Sequence, residues 1–381
     1  MGTALLSSTI SGLSFISSQI VHPTYFPYPW APVLHSARIS LVFQTLGRRN
    51  SASWKKLFWG PYIVGYLLAC WGGGVLTHLT MGLPPPQFYS FHPWINYITV
   101  HLVLTALFNV FPGLLVPKIY DTLLFPLDGL LRAHSVVSAV SLPANPAISN
   151  PLSALSSPNP HKAMDTALGH IILGVIASSA GGITLSTLSL WSDDWRFSTP
   201  PILKATFWGS ADVWGGAIAA IIYSSSTHAA AFAIPPFASL TPAYFPLTLL
   251  PQRVFDFFFV PGTSSSFTAG FDAGAVEPVS RFVVPCIHWF AGLVSAKTFV
   301  VEDPMGATEL KLDAPPVYQT AAVPIGPVEA KGLVAIALIS IFAARVLMTH
   351  WIGPAAAPPP KASSAPAKAR RNGEGDGKKQ K

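Results

Sequence analysis

The chain has 381 residues, half of them hydrophobic and 10% charged, with a mean hydropathy of +0.46. An ordinary soluble domain carries about 25% charged residues, so this composition excludes a soluble enzyme and points to a polytopic membrane protein. The net charge of +7 is unevenly placed: no Asp or Glu precedes Asp121, and the last twenty-one residues hold seven Lys/Arg against two acids. In a membrane protein such asymmetry reports orientation toward the anionic cytoplasmic leaflet rather than nucleic acid.

In chain order, residues 1–29 are Ser-rich and mildly apolar. They read as a loose leader or interfacial segment, without the basic n-region of a cleavable signal. A first span is expected over Trp30 to Leu46, interrupted by His35 and Arg38 and followed by the basic Arg48, Arg49, Lys55 and Lys56. The second, Pro61 to Met81, is uncharged and carries Gly72, Gly73 and Gly74 at its middle. Its length suits a bilayer crossing, and Pro84 to Pro86 end it. The third runs from Trp94 to Val116. The fourth, Ile119 to Ser141, contains Pro126, Asp128, Arg132 and His134. After a Pro/Ser/Asn-rich loop comes the fifth, Thr166 to Trp191, with Gly181-Gly182 at matching depth. The sixth, Ile202 to Ser224, contains Asp212 and Gly215-Gly216. A Pro/Ser-rich insertion fills 225–327, in which Phe282 to Val301 reads as re-entrant rather than spanning. A seventh span, Val328 to Ile352, has Lys331 and Arg345 near its ends, and 353–381 is a basic, low-complexity tail.

The fold expectation is therefore an all-α polytopic membrane protein with seven transmembrane helices. These form a first three-helix repeat (30–116), a second (117–224) and a seventh helix (328–352). An odd number of spans per repeat makes the repeats inverted. Aligning Gly73-Gly74-Val75 on Gly181-Gly182-Ile183 also brings Ala69 onto Ala177. Two hydrophobic helices carrying glycine at matching places suggest breaks that line a transport path; close small-residue packing is the alternative. Arg132 inside a span is costly unless it meets water or a partner. Asp212 is similar, with Lys204 two turns away as a possible partner. Single histidines, among them His78, His101, His170 and His350, are more often satisfied polar residues than ligands. The basic loop and tail belong in the cytosol. The ending Lys378-Lys379-Gln380-Lys381 resembles the dilysine retrieval signal of endoplasmic reticulum proteins, consistent with residence there or in the nuclear membrane.

Several segments resemble the trimeric intracellular cation channel family. They are Arg48-Arg49 before Ala52-Ser53-Trp54, Gly73-Gly74-Val75 with Gly82-Leu83-Pro84, and Val110-Phe111-Pro112 followed by Pro126. Lys204 with Gly215-Gly216-Ala217-Ile218, and Ala330-Lys331 through Arg345-Val346-Leu347-Met348-Thr349-His350, complete the set. The resemblance implies seven spans, a homotrimer and a pore within each subunit that passes monovalent, potassium-type cations as counter-ions. The family's fourth helix carries Lys-Glu-Val and an arginine linked to phosphoinositide binding and voltage response. Here the stretch reads Arg132-Ala133-His134-Ser135-Val136, so Arg132, His134, Lys331 and Arg345 become the gating or lipid-binding candidates. The long insertion has no counterpart in the family. No HExxH, Gly-x-Ser-x-Gly elbow, phosphate loop or paired carboxylates on one helix face speaks for an enzyme, and neither a metal, another cofactor nor a nucleic-acid partner is expected. An alternating-access transporter on the same scaffold, or a non-conducting structural membrane protein, are the alternatives to a channel.

Overall fold

A computed structural model describes residues 2–49, 54, 56–144, 160–204, 207–227, 229–232 and 326–352. The insertion over 233–325, with Phe282 to Val301, and the tail with Lys378 and Lys379 lie outside the described residues. The chain forms α1 (Gly2–Ser18), a small antiparallel hairpin β1 (Ile20–His22) and β2 (Phe26–Pro29), α2 (Trp30–Arg49), α3 (Trp59–Thr80) and α4 (His92–Val110). Then come α5 (Pro117–Ser141), α6 (Ala167–Thr187), α7 (Ala211–Ser226) and α8 (Pro327–Leu347), which continues into a π-turn at Met348–Ile352. Among the described residues, five helices are long and apolar enough to cross a membrane: α3, α4, α5, α6, and α8 with its π-turn.

Helix ends follow local chemistry. Met81 donates to the Thr77 carbonyl and Leu83 to that of His78 around Gly82, whose φ of 68° is left-handed, so α3 stops before the proline run. Pro112 cannot continue α4, and Pro117 begins α5 at a position where no amide is required. Thr166 caps α6 by accepting from the Gly169 amide at 3.0 Å.

Two of the expected spans differ. Trp30 to Leu46 does form a helix, α2, but His35, Arg38, Gln44, Arg48 and Arg49 keep it out of the apolar set. The sixth segment starts at Ala211, not Ile202: Pro201–Lys204 forms one separate turn and Trp208–Ser210 a 3₁₀ turn, leaving sixteen residues for α7. The leader is also more than a loose segment. Leu6, Leu13 and Ile16 of α1 are buried against α5 and α8. Gly332 of α8 leaves the notch for α1, since a Cβ there would lie 2.8 Å from Leu6 Cδ1 and 2.9 Å from Ile10 Cγ1.

Contacts fix helix directions. α2 and α4 run parallel through His35–Tyr97, Ser40–His101 and Arg48–Asn109. α3 opposes α2, with Ser36 bonded to Tyr66 and Phe43 packed on Tyr62. α6 opposes α7 through Ser178–Asp212 and His170–Ser224. α8 opposes α5, pairing Lys331 with His134 at one end and His350 with Asp121 at the other. The largest apolar core lies between α5, α7, α8 and α1, around Phe125, Val136, Leu338 and Phe342.

The glycine helices cross antiparallel, and neither is broken: α3 is continuous through Gly72 to Gly74 and α6 through Gly181-Gly182. This corrects the expectation of helix breaks. Backbone hydrogen bonding inside each helix outweighs a propensity loss of roughly 1 kcal/mol per glycine, and the glycines serve the crossing. A Cβ on Gly72 would lie 3.1 Å from Gly181 Cα, one on Gly73 would lie 3.2 Å from the Ala177 carbonyl, and one on Gly181 would strike the Ala69 carbonyl. Under the alignment of Gly73 on Gly181 and Ala69 on Ala177, these last two contacts are mates. Such reciprocity is the mark of a two-fold interface.

Candidate functional site: a charged cavity at the helix crossing

Beside this crossing lies a cavity of about 810 Å³, lined by residues of α2, α3, α5, α6, α7 and α8. Gly74 and Gly182 face open space, with nothing within 4 Å of a Cβ at either, and both line the cavity. The five candidate glycines therefore divide: Gly72, Gly73 and Gly181 make the close approach, and Gly74 and Gly182 leave room.

The lining holds two ionic clusters. In the first, Arg38 on α2 donates Nε to both carboxylate oxygens of Asp128 at 2.9 and 3.1 Å, and its Nη2 to Asp121 at 2.7 Å. Asp121 also takes His350 Nε2 at 3.0 Å. In the second, Asp212 Oδ1 on α7 receives Arg132 from α5 and Arg345 from α8, each at 3.0 Å. Arg132 also donates to the Ser178 backbone carbonyl on α6, and its guanidinium lies 5.0 Å from the Phe342 ring centre. Ser178 Oγ donates to the Asp212 carbonyl at 2.6 Å, so one serine joins α5, α6 and α7.

Three arginines thus meet three aspartates inside the bundle. Desolvating a single charge costs several kcal/mol, and pairing is what makes these groups tolerable there. The partners found for Asp212 are Arg132 and Arg345; the side chain of Lys204, expected beside it, lies outside the described residues. Lys331 Nζ is 3.0 Å from His134 Nδ1, so two more of the candidates meet, His134 on the cavity wall and Lys331 behind it. Arg38, Asp121, Asp128 and His350 were not among the candidates. One signal was available: the spans hold few acids, and in a low-dielectric interior each needs a cation, which leaves Arg38 as the natural partner for Asp128.

Among the described residues, no group of three or more His, Cys, Asp or Glu could hold a metal. Cys70 is a buried free thiol on the cavity wall. The fold and this interior define a multi-pass helical membrane protein with a polar, charge-paired centre. No family model, curated protein or solved structure matches the chain.

Proposed function

We propose that the protein is a monovalent cation channel of intracellular membranes, with a pore inside each subunit. The observation that carries this reading is the cavity of about 810 Å³ at the crossing of α3 and α6, lined by paired charges. At roughly 30 Å³ per water it holds some two dozen waters, enough for hydrated ions. On this reading α2–α4 and α5–α7 are the two inverted three-helix repeats and α8 is the seventh crossing. The alternating helix directions and the reciprocal Gly73–Ala177 and Gly181–Ala69 contacts support that arrangement. α2 can cross because Arg38 is paired on its inner face. Assembly as a homotrimer, potassium as the physiological ion, residence in the endoplasmic reticulum or nuclear membrane with a cytosolic C-terminus, and phosphoinositide at the Arg132, His134, Lys331 and Arg345 region belong to the same proposal.

An unbroken α3 and α6 keep their carbonyls in helical hydrogen bonds, so no ring of free carbonyls strips water from an ion. Potassium and sodium should then be discriminated weakly. The test is flux from liposomes loaded in turn with K⁺, Na⁺ and anions. Cation flux that does not saturate supports a channel; no flux above protein-free liposomes ends it. Saturable, solute-coupled flux favours a transporter, a reading to which Asp212 lends weight because it ties α5, α7 and α8 into a closed arrangement.

A further inference from the structure

A second cavity, of about 450 Å³, lies where α5 and α7 end and α6 begins; Asp165, His170, Tyr223 and Ser224 line it, with Val140 and Ala230. None of these residues lines the central cavity. Its polar core is built by helix packing. Gly174 and Gly216 let α6 and α7 approach until a Cβ on Gly174 would lie 2.7 Å from the Gly216 carbonyl. At that separation the short Ser224 side chain on α7 reaches across to α6. Its Oγ is 2.8 Å from His170 Nδ1, and His170 Nε2 is 3.0 Å from Asp165 Oδ1. Asp165 stands just before the α6 cap, one turn from His170.

Asp165 sets the tautomer: a carboxylate takes the Nε2 proton, which leaves Nδ1 as the acceptor facing the Ser224 hydroxyl. Nucleophile, base and orienting acid are thus bonded in series, the arrangement that activates a serine. The sequence carries no elbow motif because the serine sits at the end of α7, while its base and orienting acid come from the start of α6. We propose that Ser224 is an activated nucleophile and that this cavity takes a short carboxylic ester. Ser224 Oγ bonds to the carbonyl carbon as its proton passes to His170 Nδ1. The ester C–O bond then breaks, and His170 returns that proton to the departing alcohol. Water, deprotonated by the same imidazole, releases the acid and restores the serine. Val140 and Ala230 offer an apolar wall to a short acyl chain. Tyr223 also lines the cavity, its hydroxyl 3.3 Å from Ser141 Oγ, whose own proton goes to the Val137 carbonyl at 2.7 Å. The positive end of α6 favours developing negative charge at this end of the bundle.

The test is labelling of the full chain in detergent by a fluorophosphonate probe, with p-nitrophenyl butyrate hydrolysis as the turnover readout. Ser224 should be the labelled residue. Ser224→Ala should abolish labelling, and Ser225→Ala and Ser226→Ala should keep it. Loss of the base is worth about 10²–10⁴ in rate, so His170→Gln should slow labelling at least a hundredfold. Asp165 is a positioning residue. Asp165→Asn should slow labelling with folding intact, and Asp165→Glu, which keeps a carboxylate for Nε2, should restore it; a merely structural loss would not be rescued by the conservative variant. Should Ser224→Ala fail to fold, Ser224→Cys keeps the size and must exchange fluorophosphonate labelling for rapid alkylation by iodoacetamide. Absence of labelling in the wild type, or labelling that survives loss of the Ser224 hydroxyl, overturns the proposal.

Discussion

Gly181 and Gly182 are neighbours whose substitution should have opposite effects. A methyl at 181 points into the Ala69 carbonyl of α3, which is backbone and cannot turn aside. The helices must part, and overpacking of this kind costs about 1–3 kcal/mol. Alanine returns roughly 1 kcal/mol of helix propensity, so Gly181→Ala should be destabilised by up to about 2 kcal/mol. At 182 a Cβ meets nothing within 4 Å. Gly182→Ala should keep only the propensity gain, about 1 kcal/mol. Gly182→Leu places a branched side chain in the cavity beside Gly74, and on the channel reading should cut flux severely with folding intact. Thermal unfolding in detergent and size exclusion read the first effect, and cation flux per folded protein in liposomes reads the second. A Gly181→Ala protein more stable than wild type would falsify the crossing. A Gly182→Leu protein that elutes and conducts as wild type sinks the pore assignment.

Asp212→Asn should be the most damaging of the ionic substitutions. It strands two arginines, and with the carboxylate about a quarter exposed (23%) the loss should be about 1–3 kcal/mol, below the value for a fully buried pair. Arg345→Gln should cost less, since Arg132 remains on Asp212; equal losses in thermal unfolding would contradict the shared bridge. Ile16→Ala, in a fully buried side chain of α1, should destabilise by about 2–4 kcal/mol; an unchanged unfolding temperature would return α1 to a dispensable leader. If the protein resides in the endoplasmic reticulum as proposed, replacing Lys378 and Lys379 by serine should release it to later compartments, as seen by microscopy, and an unaltered location removes the retrieval argument.

The helices whose apolar stretch is uninterrupted were legible to within a few residues: Pro61 to Met81 was expected, Trp59–Thr80 is found. Hydropathy alone suffices there, because one solvent contrast decides both ends. The sixth helix starts later than expected because Ile202, Leu203 and Phe207 are apolar without belonging to it: the first two form a separate helical turn, and all three are exposed at its approach. Arg132 and Asp212 were recognisable as anomalies, yet their pairing was not, since it depends on packing that joins residues eighty positions apart. Arg38 was read only as a fault in a span, although its buried partners make it the centre of a cluster. The glycines were recognised at the right places and assigned the wrong geometry. A run of glycine reads alike whether a helix bends or two helices touch, and only the neighbour decides.

The reciprocal crossing carries one further consequence. An inverted pair of identical halves would present the same surroundings to an ion from either side of the membrane. Here the alignment that places Gly73 on Gly181 places Cys70 on Ser178, and only Ser178 accepts Arg132. Among the described residues the arginine pair at Asp212 has no counterpart at Cys70, and on the channel reading the barrier along the path is lopsided. If the cavity conducts, current should rectify, flowing more easily for one polarity than the other. Arg132→Gln should reduce that preference in oriented bilayers, because it removes one of the two arginines at Asp212, whereas a preference that ignores the substitution would locate the asymmetry elsewhere.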